Sequence, residues 1–173
     1  LVLINDLLDF SKIRAGKLEF EENDFNLHLL LKNTFLNYKT QTKDKNIAFV
    51  MNKGKALPKF IKGDRTRLSQ ILNNLLSNAI KFTSEGSVTL NIDIEKESER
   101  DVSLYFEVVD TGIGIPLNKQ QKIFKPFEQA SKDTSRKYGG TGLGLSIVKN
   151  LVELQGGTLN FESSLGEGTT FKI

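Results

Sequence analysis

The 173-residue sequence contains no cysteine. That excludes a disulfide framework, a thiolate metal site and a cysteine nucleophile, and it is compatible with a reducing compartment. No apolar run approaches the roughly 18 residues of a membrane span, and no signal peptide is visible. Internal repeats and low-complexity tracts are absent. So are a Walker loop of the form G-x-x-x-x-G-K-[ST] and a Rossmann G-x-G-x-x-G fingerprint. One histidine occurs, His28. It sits in His28-Leu29-Leu30-Leu31 with no adjacent carboxylate to activate it, so a partly buried structural role is expected. The first residue is Leu with an apolar pattern already under way, and the chain is expected to be a piece of something longer.

What is present has the make-up of one globular domain. Hydrophobic residues are 38% and charged residues 26%, too apolar for disorder and too mixed for a collagen or a coiled coil. The net charge of +3 and a pI near 9.0 leave polyanion binding open. Leu1, Ile4, Leu8 and Phe10 recur at helical spacing, and Gly16 fits a helix stop. Leu18, Phe20, Phe25 and Leu27 alternate like short strands around a turn at Asn23-Asp24. Asn26 is a candidate cap for a helix carrying Leu27, Leu30, Leu31, Phe35 and Tyr38. Strands are expected at residues 47–51, 58–61, 158–162 and 169–173, and a hairpin at 87–94 and 102–109. The two strongest helices span about 64–82 and 143–155, with a short one at 117–124. Alternating helices and hairpins imply an α+β fold, with helices on one face of a mixed sheet.

Three segments carry chemistry. At about 100° per residue, Leu68, Ile71, Leu72, Leu75 and Ala79 form the apolar face of the 64–82 helix. Arg67, Gln70, Asn74, Asn78 and Lys81 gather on another face. A solvated face is the simple explanation, but asparagine is a poor helix former, and Asn73, Asn74 and Asn78 in one helix need a reason. An amide oxygen can ligate Mg²⁺ and a nearby lysine can neutralise phosphate. Next, Asp110-Thr111-Gly112-Ile113-Gly114-Ile115 follows a strand. It reads either as a turn or as a carboxylate acceptor beside glycines that let backbone approach a planar ligand. Finally, Gly139-Gly140-Thr141-Gly142-Leu143-Gly144-Leu145 runs into the second strong helix, where freed amides and a helix N-terminus suit an anion. Between the last two lies residues 116–138, with Lys119, Lys122, Lys125, Lys132, Arg136 and Lys137 against Glu128 and Asp133. That stretch reads as a basic lid, with Phe124 and Phe127 anchoring it to the body.

Taken together and in this order, these elements resemble the ATP-binding catalytic domain of bacterial sensor histidine kinases, within the gyrase, chaperone, kinase and mismatch-repair ATPase superfamily. The resemblance covers about residues 17–173. The N box is similar to residues 74–83, the first glycine box to 110–115, the F box to Phe124-Lys-Pro-Phe127, the second glycine box to 140–145 and the third to 166–171. Residues 1–16 resemble the end of the second helix of the dimerisation and phosphoacceptor domain. The resemblance implies a Bergerat-type fold, a two-layer α/β sandwich whose mixed, mainly antiparallel sheet is covered on one face by three helices, with a lid at about 112–140.

The resemblance also implies roles. ATP and Mg²⁺ would be the cofactors. Asp110 would accept the adenine amino proton, favouring ATP over GTP. Asn78 would ligate Mg²⁺ with Asn74 beside it. Lys81 and Arg136 would meet the phosphates, with Lys137 and Tyr138 as further lid candidates. Gly112, Gly114, Ile115, Gly140, Thr141, Gly142, Leu143 and Gly144 would complete the nucleotide site. Asn74, Lys81 and Arg136 would serve catalysis, passing the γ-phosphoryl to a histidine on a missing upstream helix and then to a response-regulator aspartate. Partners would be that helix bundle and a receiver domain, in a homodimeric parent with its kinase domain in the cytoplasm and an optional inner-membrane anchor. Nucleic acid is not expected as a partner. The sequence given should not label itself, because its acceptor is missing. Rival readings are a hydrolysing ATPase, which would commonly carry Glu at position 74, and a degenerate nucleotide sensor.

Overall fold

Residues 2–43, 45–99, 101–128 and 141–173 are described by a computed structural model. In chain order the elements are α1 (Val2–Arg14), β1 (Asn23–Asn26), α2 (Leu27–Lys43), β2 (Ile47–Lys53), β3 (Phe60–Gly63), α3 (Arg65–Phe82), β4 (Gly86–Glu97), β5 (Val102–Asp110), α4 (Leu117–Gln120), α5 (Gly144–Leu154), β6 (Asn160–Ser164) and β7 (Gly168–Lys172). Capping explains where the long helices begin. Asp64 is the N-cap of α3, its Oδ1 accepting from Arg67 N at 2.9 Å. Asn26 Oδ1 accepts from Leu29 N at 2.9 Å at the start of α2. Each satisfies a backbone donor that the helix leaves unpaired.

Five strands form one sheet in the order β2-β4-β5-β7-β6. The β2–β4 pair is parallel and the others are antiparallel. A parallel neighbour requires a crossover, and α3 lies within the connection from β2 to β4. Helices α2, α3 and α5 supply the second layer. Their inward residues Leu27, Leu31, Leu72, Leu75, Leu76, Ile147 and Leu151 are buried in one cluster with Val88, Leu90, Ile92, Phe106 and Val108 of the central strands. Burying each such side chain stabilises by about 1.5–3 kcal/mol. The expected two-layer α+β arrangement with a mixed, mainly antiparallel sheet is therefore present.

Three local expectations are corrected. Asn23 and Asp24 do not form a turn; they belong to β1 and pair with Gly63 and Lys62 of β3. Leu18 and Phe20 are not in a strand and instead pack half-buried against the core. Their partners lie far along the chain, beyond the reach of a local alternation pattern. The short helix expected at 117–124 ends at Gln120.

Candidate functional site

The alternation of β5 places a carboxylate where a hydrophobe would otherwise stand. Phe106 and Val108 face the helices, and Asp110 is next in the same period of two. It is buried at the strand end, between Val88 and Thr169 in the sheet. Burial pushes its carboxyl above the ordinary range, and hydrogen bonds from the backbone of Gly112 and Thr169 partly offset that. The Gly112 N–H donates to Asp110 Oδ1 at 2.9 Å. The carboxylate is thereby oriented toward a cavity of about 340 Å³ between β5, α3 and α5.

The glycines after Asp110 serve the protein's own packing. A side chain at Gly112 would collide with the carbonyl oxygen of Phe82, at the end of α3. At Gly114, where φ is +64°, it would collide with the carbonyl of Ser164. The loop is held there by Ile113 N–H donating to Phe82 O at 3.1 Å and Gly166 N–H donating to Ile113 O at 2.8 Å. These contacts give both glycines a packing reason that the expectation of a planar ligand did not include. The near contact is with the α3 terminus and the β6–β7 turn.

Helix α3 contributes the rest of one wall. Asn74, Asn78 and Lys81 all line the cavity. Asn74 lies two turns before Phe82, about 12 Å along the axis, where its Oδ1 is 2.8 Å from the position of a β-carbon on Gly144. The amide side chains of Asn74 and Asn78 have no hydrogen-bond partner among the described residues. Burial lowers the Lys81 ammonium pKa, and its Nζ lies 4.9 Å from the Phe82 ring centroid. The polar face read from the sequence is therefore divided. Its first part is neither solvated nor on the cavity: Arg67 and Gln70 both donate to Asp9 of α1, each at 2.8 Å. Asn73 has a structural reason, because the Tyr38 hydroxyl donates to its Oδ1 at 3.1 Å and its carbonyl at 3.2 Å.

Of the residues expected at the site, Asn74, Asn78, Lys81, Asp110, Gly114, Ile115, Thr141, Gly142 and Gly144 line the one cavity. Gly112 lies behind Asp110. Leu143 is turned away: its side chain is in the core and its N–H donates to Thr141 Oγ1 at 3.1 Å. It has neither side chain nor amide to offer a ligand. Arg136, Lys137, Tyr138 and Gly140 lie outside the described residues. Among the described lid bases, Lys119, Lys122 and Lys125 do not line the cavity.

The candidate site residues did not include Asp6, Ile123, Glu128, Thr169 and Phe171, which also line it, as do Ile113 and Leu145 of the two glycine boxes. Thr169 and Phe171 were within a motif already singled out. Asp6 had no such signal, since its place depends on how α1 docks. Burial and the neighbouring Asp9 raise the Asp6 carboxyl pKa.

The described part of the expected lid is tied down on both sides. Phe124 packs edge-on against Phe161 with ring centroids 5.6 Å apart, and Phe127 against Phe10 of α1 at 5.8 Å. Phe127 N–H donates to Gly142 O at 3.1 Å, and Phe127 adopts φ +62°. A left-handed non-glycine residue is held only by surrounding contacts. His28, expected to be structural, is half-buried with Nε2 3.1 Å from the Leu57 carbonyl oxygen.

Known proteins are similar to this chain in sequence and fold. The family described as "Histidine kinase-, DNA gyrase B-, and HSP90-like ATPase" matches residues 63–173. The hybrid signal transduction protein dokA of Dictyostelium discoideum is 47% identical over 98% of this chain and 10% of its own length. The autoinducer 2 sensor kinase/phosphatase LuxQ of Vibrio vulnificus is 43% identical over 100% of this chain and 20% of its own. The full-length crystal structure of ShkA in complex with AMPPNP superposes with a TM-score of 0.80 at 30% identity, covering 99% of this chain and 34% of that one. The chain thus spans only a tenth to a fifth of the length of these curated relatives.

Proposed function

The chain belongs to the histidine kinase-, DNA gyrase B- and HSP90-like ATPase family, and from that premise we propose that it is the ATP-binding catalytic part of a sensor histidine kinase. Residues 17–173 form the catalytic domain, and residues 1–16 end a helix of the dimerisation and phosphoacceptor domain. The observation that carries this reading is the placement of Asp110. A buried carboxylate at one end of a cavity, with two unpartnered asparagine amides and a lysine along its wall, suits a purine nucleotide triphosphate.

In this reading Asp110 accepts a proton of the adenine amino group, Gly112 and Thr169 fix the carboxylate, and Ile113, Ile115 and Leu145 supply apolar surface. The amide oxygens of Asn74 and Asn78 suit a hard cation, which fits Mg²⁺, with Asn78 as the ligand. Mg²⁺ when bound would neutralise charge on the phosphates. Lys81 adds positive charge on the same wall, and Arg136 and Lys137 are the candidate lid cations. Asn74 has no carboxylate to activate water, which favours transfer to a histidine over hydrolysis. Catalysis is then mainly positioning and charge stabilisation. The acceptor is a histidine on the parent's helix bundle, and the subsequent partner is a receiver-domain aspartate. The parent is a homodimer working with this domain in the cytoplasm. Among the described residues no helix is long and apolar enough to cross a membrane.

Calorimetry with Mg-ATP tests the site. ATP is expected to bind more tightly than GTP. Asp110→Asn is expected to cost about 10–100-fold in ATP affinity, the worth of a charge-assisted hydrogen bond. Unchanged ATP affinity in both Asp110→Asn and Asn78→Ala would overturn the assignment. Acid-labile label from ATP is not expected on His28, whose ring meets the Leu57 carbonyl; stoichiometric label there would contradict the acceptor reading.

A further inference from the structure

We propose that Asp6 of α1 is a ligand, directly or through one water, for the divalent cation that accompanies the nucleotide, so that α1 completes the metal end of the pocket. This rests on the reading of the cavity as an ATP site.

The placement follows from the helix pairing. Asp6 and Asp9 are one turn apart and share a face of α1. Asp9 is fixed against Arg67 and Gln70 on α3. One turn back on α1 from Asp9, and one turn on from Gln70 on α3, are Asp6 and Asn74, and both line the cavity together with Asn78. The Phe10–Phe127 contact holds the same helix against the lid base. Unlike Asp9, Asp6 has no hydrogen-bond or ion-pair partner among the described residues, yet it is only 9% exposed. No side-chain oxygen among the described residues is both buried and unpartnered, so the Asp6 carboxylate, which has no donor, opens into the cavity it lines. A cation bound at this end would meet that free carboxylate directly. The donor set of one carboxylate and two amide oxygens, with phosphate oxygens and water for the remainder, is the kind that Mg²⁺ takes. Asp6 would otherwise sit as an uncompensated negative charge beside a triphosphate.

The two outcomes have opposite signs. If Asp6 ligates the cation, Asp6→Asn weakens binding of Mg-ATP to the 173-residue chain by about tenfold or more. If Asp6 only repels phosphate, the same substitution leaves Mg-ATP affinity unchanged or tightens it, and the proposal is overturned. Calorimetry with ATP and Mg²⁺, and with ATP and a chelator, supplies these numbers. Electron paramagnetic resonance of Mn²⁺ with ATP gives a second readout, since loss of a carboxylate alters the bound-ion spectrum. An unchanged spectrum overturns the proposal too. Asn78→Ala is measured in the same series. If it abolishes the metal dependence while Asp6→Asn does not, only the Asp6 assignment fails. If neither matters, the metal-site reading of this end fails with it. Thermal unfolding without nucleotide checks the fold. Asp6→Asn removes no bond there, so its midpoint is expected not to fall.

Discussion

At the scale of single residues, Asp110 sets a testable opposition between binding and stability. Its folded pKa lies above the unfolded value because burial disfavours the charged form. The folded chain therefore binds this proton more tightly than the unfolded chain does. Protonation stabilises the fold, and that contribution is lost as pH rises from the unfolded pKa through the raised folded one. On the proposed reading the nucleotide meets the ionised acceptor, so ATP affinity should fall as pH drops through the same raised pKa. Asp110→Asn should flatten both trends. The stability difference of wild type minus Asp110→Asn should shrink from acid to neutral pH, and the variant's ATP affinity should lose its acid limb. Parallel melting and calorimetry between pH 4 and 7 check this, and a variant that keeps the acid limb would move the titrating group elsewhere. Asp110 was legible in the sequence because the alternation of β5 and the glycines after it both point to it. Asp6 was not, because nothing within α1 distinguishes a free carboxylate from the paired Asp9.

At the scale of elements, α3 carries two tasks on one polar face, and the sequence showed the face without the division. Helical periodicity groups Arg67, Gln70, Asn74, Asn78 and Lys81 but is blind to what packs on each turn. The structure gives the first turn to α1 and the next turns to the cavity. The short β1–β3 ribbon was misread for a related reason, since its pairing joins segments on either side of α2 and β2. Docking of α1 depends on the Arg67–Asp9 pair, 2.8 Å long and largely withdrawn from solvent, with the Phe10–Phe127 edge contact beside it. Arg67→Ala leaves Asp9 with only Gln70 and should cost about 2 kcal/mol of docking. Hydrogen exchange is expected to quicken across residues 2–14 in that variant while α5 and β4 keep their protection. Equal acceleration throughout would show that Arg67 supports the whole fold rather than the seating of one helix.

At the scale of the molecule, the cavity shares only Ala79 and Phe171 with the buried core among the described residues, so ligand response and intrinsic stability are separable at core positions away from it. Leu75 is fully buried between the layers and does not line the cavity. Leu75→Ala should therefore lower stability by about 2–5 kcal/mol without touching the nucleotide. Ligand that binds only the folded state adds about 2.7 kcal/mol at a hundred times its Kd. For a domain of this size that raises the melting temperature by roughly 6–10 °C. Mg-ATP at a hundred times the wild-type Kd should raise the midpoints of wild type and Leu75→Ala by similar amounts, the second from a lower start. Asp110→Asn should show the reverse, keeping a near-normal midpoint without ATP and losing most of the rise. The proposed basic lid would bear on the size of this response. Its described lysines do not line the cavity, so the chain's surplus of positive charge does not by itself place a phosphate clamp. If Arg136 supplies that clamp, Arg136→Ala should reduce the ATP-induced rise while leaving the rise with adenosine intact. An equal loss with both ligands would assign the lid to closing over the base rather than to holding phosphate.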